Sequence, residues 1–205
     1  TKEGLKADVI WDMKMDAPYM VFKGTQLKGK SLGILGYGSI GKRVGRIARA
    51  FGMQLLIFDP YQGEVDVEEI GIRKVDTVEE LMRESDFITC HMKVTSETSG
   101  IISKERIAMM KPTAYFINAS RGAILDEAAL IDALREKRIA GAAFDVYASE
   151  PIASNHPYIT ELDNVVITPH IAGATDDVLV NHTKQIVSDI RRFQNGEHLL
   201  YQYKY

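Results

Sequence analysis

Between Ser31 and Thr168 the chain alternates between two hydrophobic periods. Short, nearly unbroken apolar runs stand at 32–35, 54–58, 86–90, 114–117, 141–146 and 165–168. Between them lie stretches whose apolar residues return every three or four positions, at 40–51, 78–84, 104–110 and 126–137. Continuous apolar runs of this length suit strands buried on both faces, and the intervening period is that of amphipathic helices. The pattern predicts an α/β domain, a doubly wound parallel sheet with helices on both faces and right-handed crossovers. A last helix is predicted over 176–195, with Gly196 as its stop. Residues 1–30 keep no single period across Pro18. Their apolar residues, Val9, Ile10, Met13, Met20, Val21 and Phe22, read as an arm or linker with a helix before the proline. The expected organisation is an arm at 1–30, the sheet domain at 31–175, and a helix with its tail at 176–205.

Composition narrows the class without changing that picture. Of 205 residues, 45% are hydrophobic and 26% charged, as in ordinary globular domains. That length suits one α/β domain plus an appendage. The net charge of −3 gives no basic footprint for nucleic acid. No apolar run reaches the roughly 18 residues of a membrane helix, so no membrane partner is expected. One cysteine, Cys90, leaves no disulfide framework and no multi-cysteine zinc site, and points to a reducing, cytoplasmic setting. His156, His182 and His198 lack metal-site spacing, so no metal is expected. The polar start, without an initiator Met or an apolar signal stretch, reads as that of a fragment or a processed chain.

The first strand runs directly into Gly36-Tyr37-Gly38-Ser39-Ile40-Gly41, which opens the first helix. In that setting Gly36 permits a tight turn, Gly38 lets the backbone approach a pyrophosphate, and Gly41 allows close helix–strand packing. The N–H groups of Ser39 and Ile40, at the helix start, would cradle the phosphates. The next strand ends in Asp59, about 20 residues on, where an acid reads the adenosine ribose hydroxyls. Asp59 would repel a 2′-phosphate, and Pro60-Tyr61-Gln62 offers no cation to welcome one. The expected cofactor is therefore NAD rather than NADP, on a Rossmann-type sheet.

Ligands of such sheets bind beyond the carboxyl ends of the strands. Arg121, Glu150 and His170 each follow a predicted strand. An arginine grips a carboxylate bidentately and polarises an adjacent carbonyl. A histidine moves the proton that accompanies hydride transfer, and a carboxylate beside it favours the protonated ring. Taken singly, each has a plainer reading: a strand-end ion pair for Arg121, a solvated acid for Glu150, an ordinary hydrogen-bonding residue for His170. His91, after the 86–90 run, fits strand-end capping as well as cofactor contact. Cys90 reads as a small buried hydrophobe, and Arg191 and Arg192 as complements to the dipole of the last helix.

Together these segments resemble the cofactor domain of the D-isomer-specific 2-hydroxyacid dehydrogenases, from about Gln26 to Gly196. The resemblance rests on the glycine turn, Phe58-Asp59-Pro60, Asn118-Ala119-Ser120-Arg121-Gly122, Asp145-Val146 with Glu150-Pro151, and Thr168-Pro169-His170-Ile171-Ala172-Gly173. It implies that Arg121 binds the carboxylate and carbonyl of a 2-oxo acid, that His170 is the acid/base, and that Glu150 orients and tunes it. It further implies that Asp145 holds the nicotinamide carboxamide, and that Ala119, Ser120, Arg121 and the segment with His170, Ala172 and Gly173 line the nicotinamide end. His91 and Met92 would border the adenosine; Lys93 stands where family members often carry proline. The family implies a homodimer, and a substrate domain of roughly a hundred residues that the last helix rejoins and that residues 1–30 are too short to supply. Two other readings stand beside this one. One is a non-catalytic NAD-sensing or scaffold protein on the same fold. The other is an isolated cofactor domain that binds NAD without turnover, lacking a partner to exclude water. The run 201–205 reads as a docking tail or as disordered chain.

Overall fold

Burial decides which apolar runs become strands. A computed structural model describes residues 23–61 and 71–201. The expected helix before Pro18, the apolar arm with Trp11, Met13 and Phe22, and the last four residues lie outside the described residues. Among the described residues seven strands form one sheet: β1 (Ser31–Leu35), β2 (Gln54–Phe58), β3 (Ile72–Lys74), β4 (Phe87–Cys90), β5 (Tyr115–Asn118), β6 (Gly141–Phe144) and β7 (Val165–Ile167). Their order is β3-β2-β1-β4-β5-β6-β7, and every pair is parallel. The helices are α1 (Ser39–Ala50), α2 (Val78–Glu84), α3 (Lys104–Ile107), α4 (Glu127–Arg135), α5 (Pro157–Thr160) and α6 (Val178–Gln194).

Successive residues of a strand point to opposite faces, and two packed cores follow from that. Leu32 and Ile34 of β1 join Leu55 and Ile57 of β2 beside Ala48 of α1. Leu35 and Leu56 face the other way, into a larger core with Ile88, Phe116, Leu81 of α2 and Leu130 of α4. This two-sided burial is why the strands read as unbroken apolar runs. Cys90 is fully buried here, and burial pushes its thiol up, so it behaves as a small core hydrophobe.

Several boundaries differ from the expected ones. Strand β3 has only one apolar residue in Ile72-Arg73-Lys74 and lies at the sheet edge, paired on one side, so no hydrophobic run announces it. Helix α5 is a single turn with Pro157 at its start and the Tyr158 N–H donating to Nδ1 of the His156 ring. The 141–146 run leaves the sheet at Phe144, because Asp145 turns to bond a neighbouring loop. Helix α4 starts at its cap Asp126, whose carboxylate accepts the Ala129 N–H at 3.0 Å, and ends before Lys137, which adopts a left-handed φ of 54°. The last helix stops before Gly196, whose φ of 68° fits the expected glycine stop. None of its residues is buried: Leu179 and Phe193 are 75% and 74% exposed, and Ile186 and Ile190 are open beside them. Among the described residues nothing covers that apolar face.

Candidate active site

The strand order reverses between β1 and β4, so the loops after these two strands diverge and leave a crevice at the carboxyl edge. On one side of it lies the glycine turn. Gly36 has a φ of +89°, and a Cβ there would lie 2.9 Å from both the His91 carbonyl carbon and the Met92 Cγ. His91 and Met92 thus pack directly against the turn. A Cβ on Gly41 would lie 2.2 Å from the Gly36 oxygen and 3.3 Å from Ile34 of β1, so helix α1 approaches this closely only with glycine there. Gly38 differs: a Cβ there would meet nothing within 4 Å. Gly38, Ser39 and Ile40 are exposed, and the first-turn N–H groups of α1 open onto that space. Such a cradle fits the pyrophosphate of a dinucleotide.

Asp59, at the end of β2, is buried and accepts the Tyr37 N–H at 2.7 Å and the Tyr61 N–H at 2.9 Å. The sequence placed this acid beside the turn, but gave no sign that its carboxylate also ties the turn down. Across the crevice the Tyr61 hydroxyl donates to Glu97 at 2.6 Å. His91 is half-buried, with Nε2 3.1 Å from the Thr89 hydroxyl, and burial lowers the pKa of its ring. It is therefore neutral at pH 7.

The other strand ends bring Arg121, Glu150 and His170 to the same edge. Beyond β5, Asn118 is fully buried and shapes the 118–121 turn: its amide donates to the Arg121 carbonyl at 2.9 Å, and its oxygen accepts the Ser120 N–H at 3.0 Å and hydroxyl at 3.2 Å. Ala119 and Arg121 are exposed, and Ser120 is half-buried. The Arg121 guanidinium donates to the Ser120 carbonyl at 2.7 Å and has no carboxylate within ion-pair distance among the described residues. Beyond β6, the Glu150 Oε1 accepts the Tyr147 N–H at 3.1 Å and its Oε2 lies 2.7 Å from Nδ1 of His170. The bond to His170, then the Tyr147 N–H and the charges of His170 and Arg121, hold the Glu150 carboxyl below the usual carboxylate range. With Nδ1 engaged, Nε2 is the ring nitrogen left to meet a ligand.

Beyond β7, His170 takes a φ of 55°, a left-handed conformation rare for a residue with a side chain. Asp145 supports that backbone. Its carboxylate accepts the Thr168 hydroxyl at 2.5 Å, the Ile171 N–H at 2.8 Å and the Ala172 N–H at 2.8 Å. Burial opposes its ionisation, but these donors and the nearby His170 outweigh that and hold its carboxyl below the usual range. Asp145 therefore fixes the His170 loop, a duty that sequence reasoning missed. Ala172 and Gly173 are exposed along this loop. Among the described residues no three His, Cys, Asp or Glu side chains cluster as a metal site requires, and no helix is long and apolar enough to cross a membrane.

Known proteins match this arrangement. Residues 9–172 match the model of the D-isomer specific 2-hydroxyacid dehydrogenase NAD-binding domain. A D-3-phosphoglycerate dehydrogenase of Methanocaldococcus jannaschii is 41% identical over 91% of this chain and 34% of its own length. A glyoxylate reductase of Aeropyrum pernix is 38% identical over 91% of this chain and 55% of its own. The chain thus spans between a third and just over half of the length of these relatives. A D-isomer specific 2-hydroxyacid dehydrogenase from Xanthobacter autotrophicus, solved with NADPH and MES, superposes with a TM-score of 0.78 at 30% identity, over 89% of this chain and 74% of that one. With its glycine turn, parallel sheet and strand-end residues, the chain belongs to the D-isomer specific 2-hydroxyacid dehydrogenase family, of which it carries the NAD-binding domain.

Proposed function

We propose that this chain is the cofactor half of an NAD-dependent oxidoreductase that interconverts a 2-oxo acid and a D-2-hydroxy acid. The observation that carries the proposal is the Glu150–His170 pair, closed at 2.7 Å on the edge that also presents Arg121 and the glycine turn. Gly36, Gly38, Ser39, Ile40 and Gly41 would hold the pyrophosphate, and Asp59 the adenosine ribose, with His91 and Met92 along the adenosine side. Ala119, Ser120, Asp145, His170, Ala172 and Gly173 would border the nicotinamide, which when bound supplies the hydride for reduction. Asp59 supports NAD over NADP, since its carboxylate would repel a 2′-phosphate.

In the direction of reduction, Arg121 grips the substrate carboxylate and withdraws charge from the adjacent carbonyl. Glu150 holds the protonated His170 ring through Nδ1, so Nε2 can give its proton to the carbonyl oxygen as it gains charge. In oxidation the same nitrogen takes the hydroxyl proton. Glu150 also fixes which nitrogen does this, because only Nε2 is left to meet substrate.

The uncovered apolar face of α6 supports a second statement about the chain alone. It fits a helix that rejoins a substrate domain, so the arm, sheet domain and returning helix at 1–30, 31–175 and 176–205 together make one half of the active-site cleft. Alone, the chain would bind NAD and turn over little, since among the described residues nothing closes over the crevice. We assign the protein to the cytoplasm, where the buried Cys90 thiol stays reduced, and to a homodimer.

The test is to express the complete gene and follow NADH consumption with glyoxylate, pyruvate, hydroxypyruvate and 3-phosphohydroxypyruvate. Turnover of at least one that His170→Asn lowers by about 100-fold or more is expected from loss of the acid/base. Turnover that survives His170→Asn unchanged would refute the assignment.

A further inference from the structure

The loops that carry the three candidate catalytic residues meet at one residue outside the set, Tyr147. The Tyr147 N–H donates to the Glu150 Oε1 at 3.1 Å, while its hydroxyl donates to the Thr168 carbonyl at 2.7 Å, with the Phe144 carbonyl more distant at 3.5 Å. That Thr168 oxygen also accepts the His170 N–H at 3.0 Å, across Pro169. A carbonyl oxygen has two lone pairs, so His170 and Tyr147 together saturate it. Gly122, next to Arg121, packs so closely that a Cβ there would lie 2.1 Å from the Tyr147 backbone carbonyl oxygen. The loops after β5, β6 and β7 all abut this residue.

We propose that Tyr147 is a positioning residue for the Glu150–His170 pair, holding the carboxylate by its backbone and the histidine loop by its hydroxyl. The inference rests on reading that pair as the acid/base site. His170 needs such support, because its left-handed φ of 55° costs free energy that surrounding bonds must offset. Tyr147 is 8% exposed and packs in the larger core, so the hydroxyl is carried on a rigid platform. A phenylalanine would fill the same space and keep the N–H, but would free the Thr168 carbonyl on one side. The His170 backbone could then drift, and the Nδ1–Oε2 bond with it. The charged groups facing the pair are Arg121 and Asp145, and neither bonds Oε2 of Glu150 in place of His170.

The experiment uses the complete protein with Tyr147→Phe. Displacing a general acid lowers kcat while leaving cofactor affinity intact, so kcat for 2-oxo acid reduction should fall about tenfold with the KM for NADH within about twofold. Carbon-13 carboxyl NMR reads the pair without turnover, with the Glu150 signal assigned by Glu150→Gln. In Tyr147→Phe, Glu150 should titrate at higher pH than in the wild type, nearer an ordinary glutamate. Replacing Tyr147 with 3-fluorotyrosine keeps the hydroxyl and should retain both wild-type readouts. Tyr158→Phe removes a buried hydroxyl that has no hydrogen-bond partner among the described residues, so it should change neither. A folded Tyr147→Phe whose Glu150 titrates as in the wild type overturns the inference, whatever kcat does. If the wild type reduces no 2-oxo acid, the functional reading fails, and the carboxyl titration still decides the role of Tyr147.

Discussion

Asn118→Ala tests whether one buried amide holds Arg121, the proposed carboxylate-binding residue, in place. Asn118 is fully buried at the end of β5 and makes three hydrogen bonds within the 118–121 turn. Each contributes roughly 1 kcal/mol net, so alanine should cost about 3 kcal/mol, or about 2 if water reaches the half-buried Ser120 N–H. Asn118→Asp separates the bonds. It keeps an acceptor for Ser120 but turns the donor to the Arg121 carbonyl into a second oxygen, which repels it. Burial and that carbonyl would raise the pKa of the new carboxyl in the folded state. Such a group lends its stability at low pH and loses it as pH rises from an unfolded value of about 4 through the raised folded one. Urea unfolding of both variants at pH 7.5 and pH 5 is the assay, each compared with the wild type at the same pH. Asn118→Asp should sit further below wild type at pH 7.5 than at pH 5, while the deficit of Asn118→Ala stays constant. In the complete enzyme both should raise the KM for the 2-oxo acid more than that for NADH, because the displaced group is Arg121. An alanine deficit under about 1 kcal/mol, or an aspartate deficit that ignores pH, would refute the reasoning.

Gly41→Ala should destabilise the fold by about 2 kcal/mol, since its Cβ would collide with the Gly36 carbonyl, whereas Gly38→Ala should leave the melting temperature near wild type and still weaken NAD binding. Calorimetric melting with NAD titration separates the two. Tyr158→Phe should stabilise the protein by about 1 kcal/mol, because the buried Tyr158 hydroxyl has no partner to lose among the described residues, and urea unfolding measures it. For Asp145 the depressed pKa sets the direction: its bonds to Ile171 and Ala172 are in force above the ordinary carboxylate range and are lost as pH falls through the lowered value. Amide exchange protection at those two residues should therefore persist at pH 5 and disappear only in stronger acid, and loss already near pH 5 would contradict the bonding described.

Most of the sheet could be read before folding. Two-sided burial writes itself into a parallel strand as an unbroken apolar run, so β2 falls at 54–58 as expected and the other five expected strands overlap theirs. Glycines at three fixed offsets after the first strand announce the turn, although the close approach of His91 and Met92 to Gly36 shows only in the fold. Strand-end positions were equally visible for Arg121, Glu150 and His170. By contrast, β3 and α5 carry too few apolar residues to register as periods, and only their neighbours define them. The sequence also could not say that Asp145 and Tyr147 knit the His170 loop, that Asn118 pins the Arg121 turn, or that His170 is left-handed. Those facts depend on bonds between β6 and β7 ends more than twenty residues apart, or on a turn closing around one buried amide. Hydrophobic period is a property of the chain and fixes which segments pack. Hydrogen bonds between loops exist only once strand order and register bring them together, and here they decide how the strand-end side chains are held.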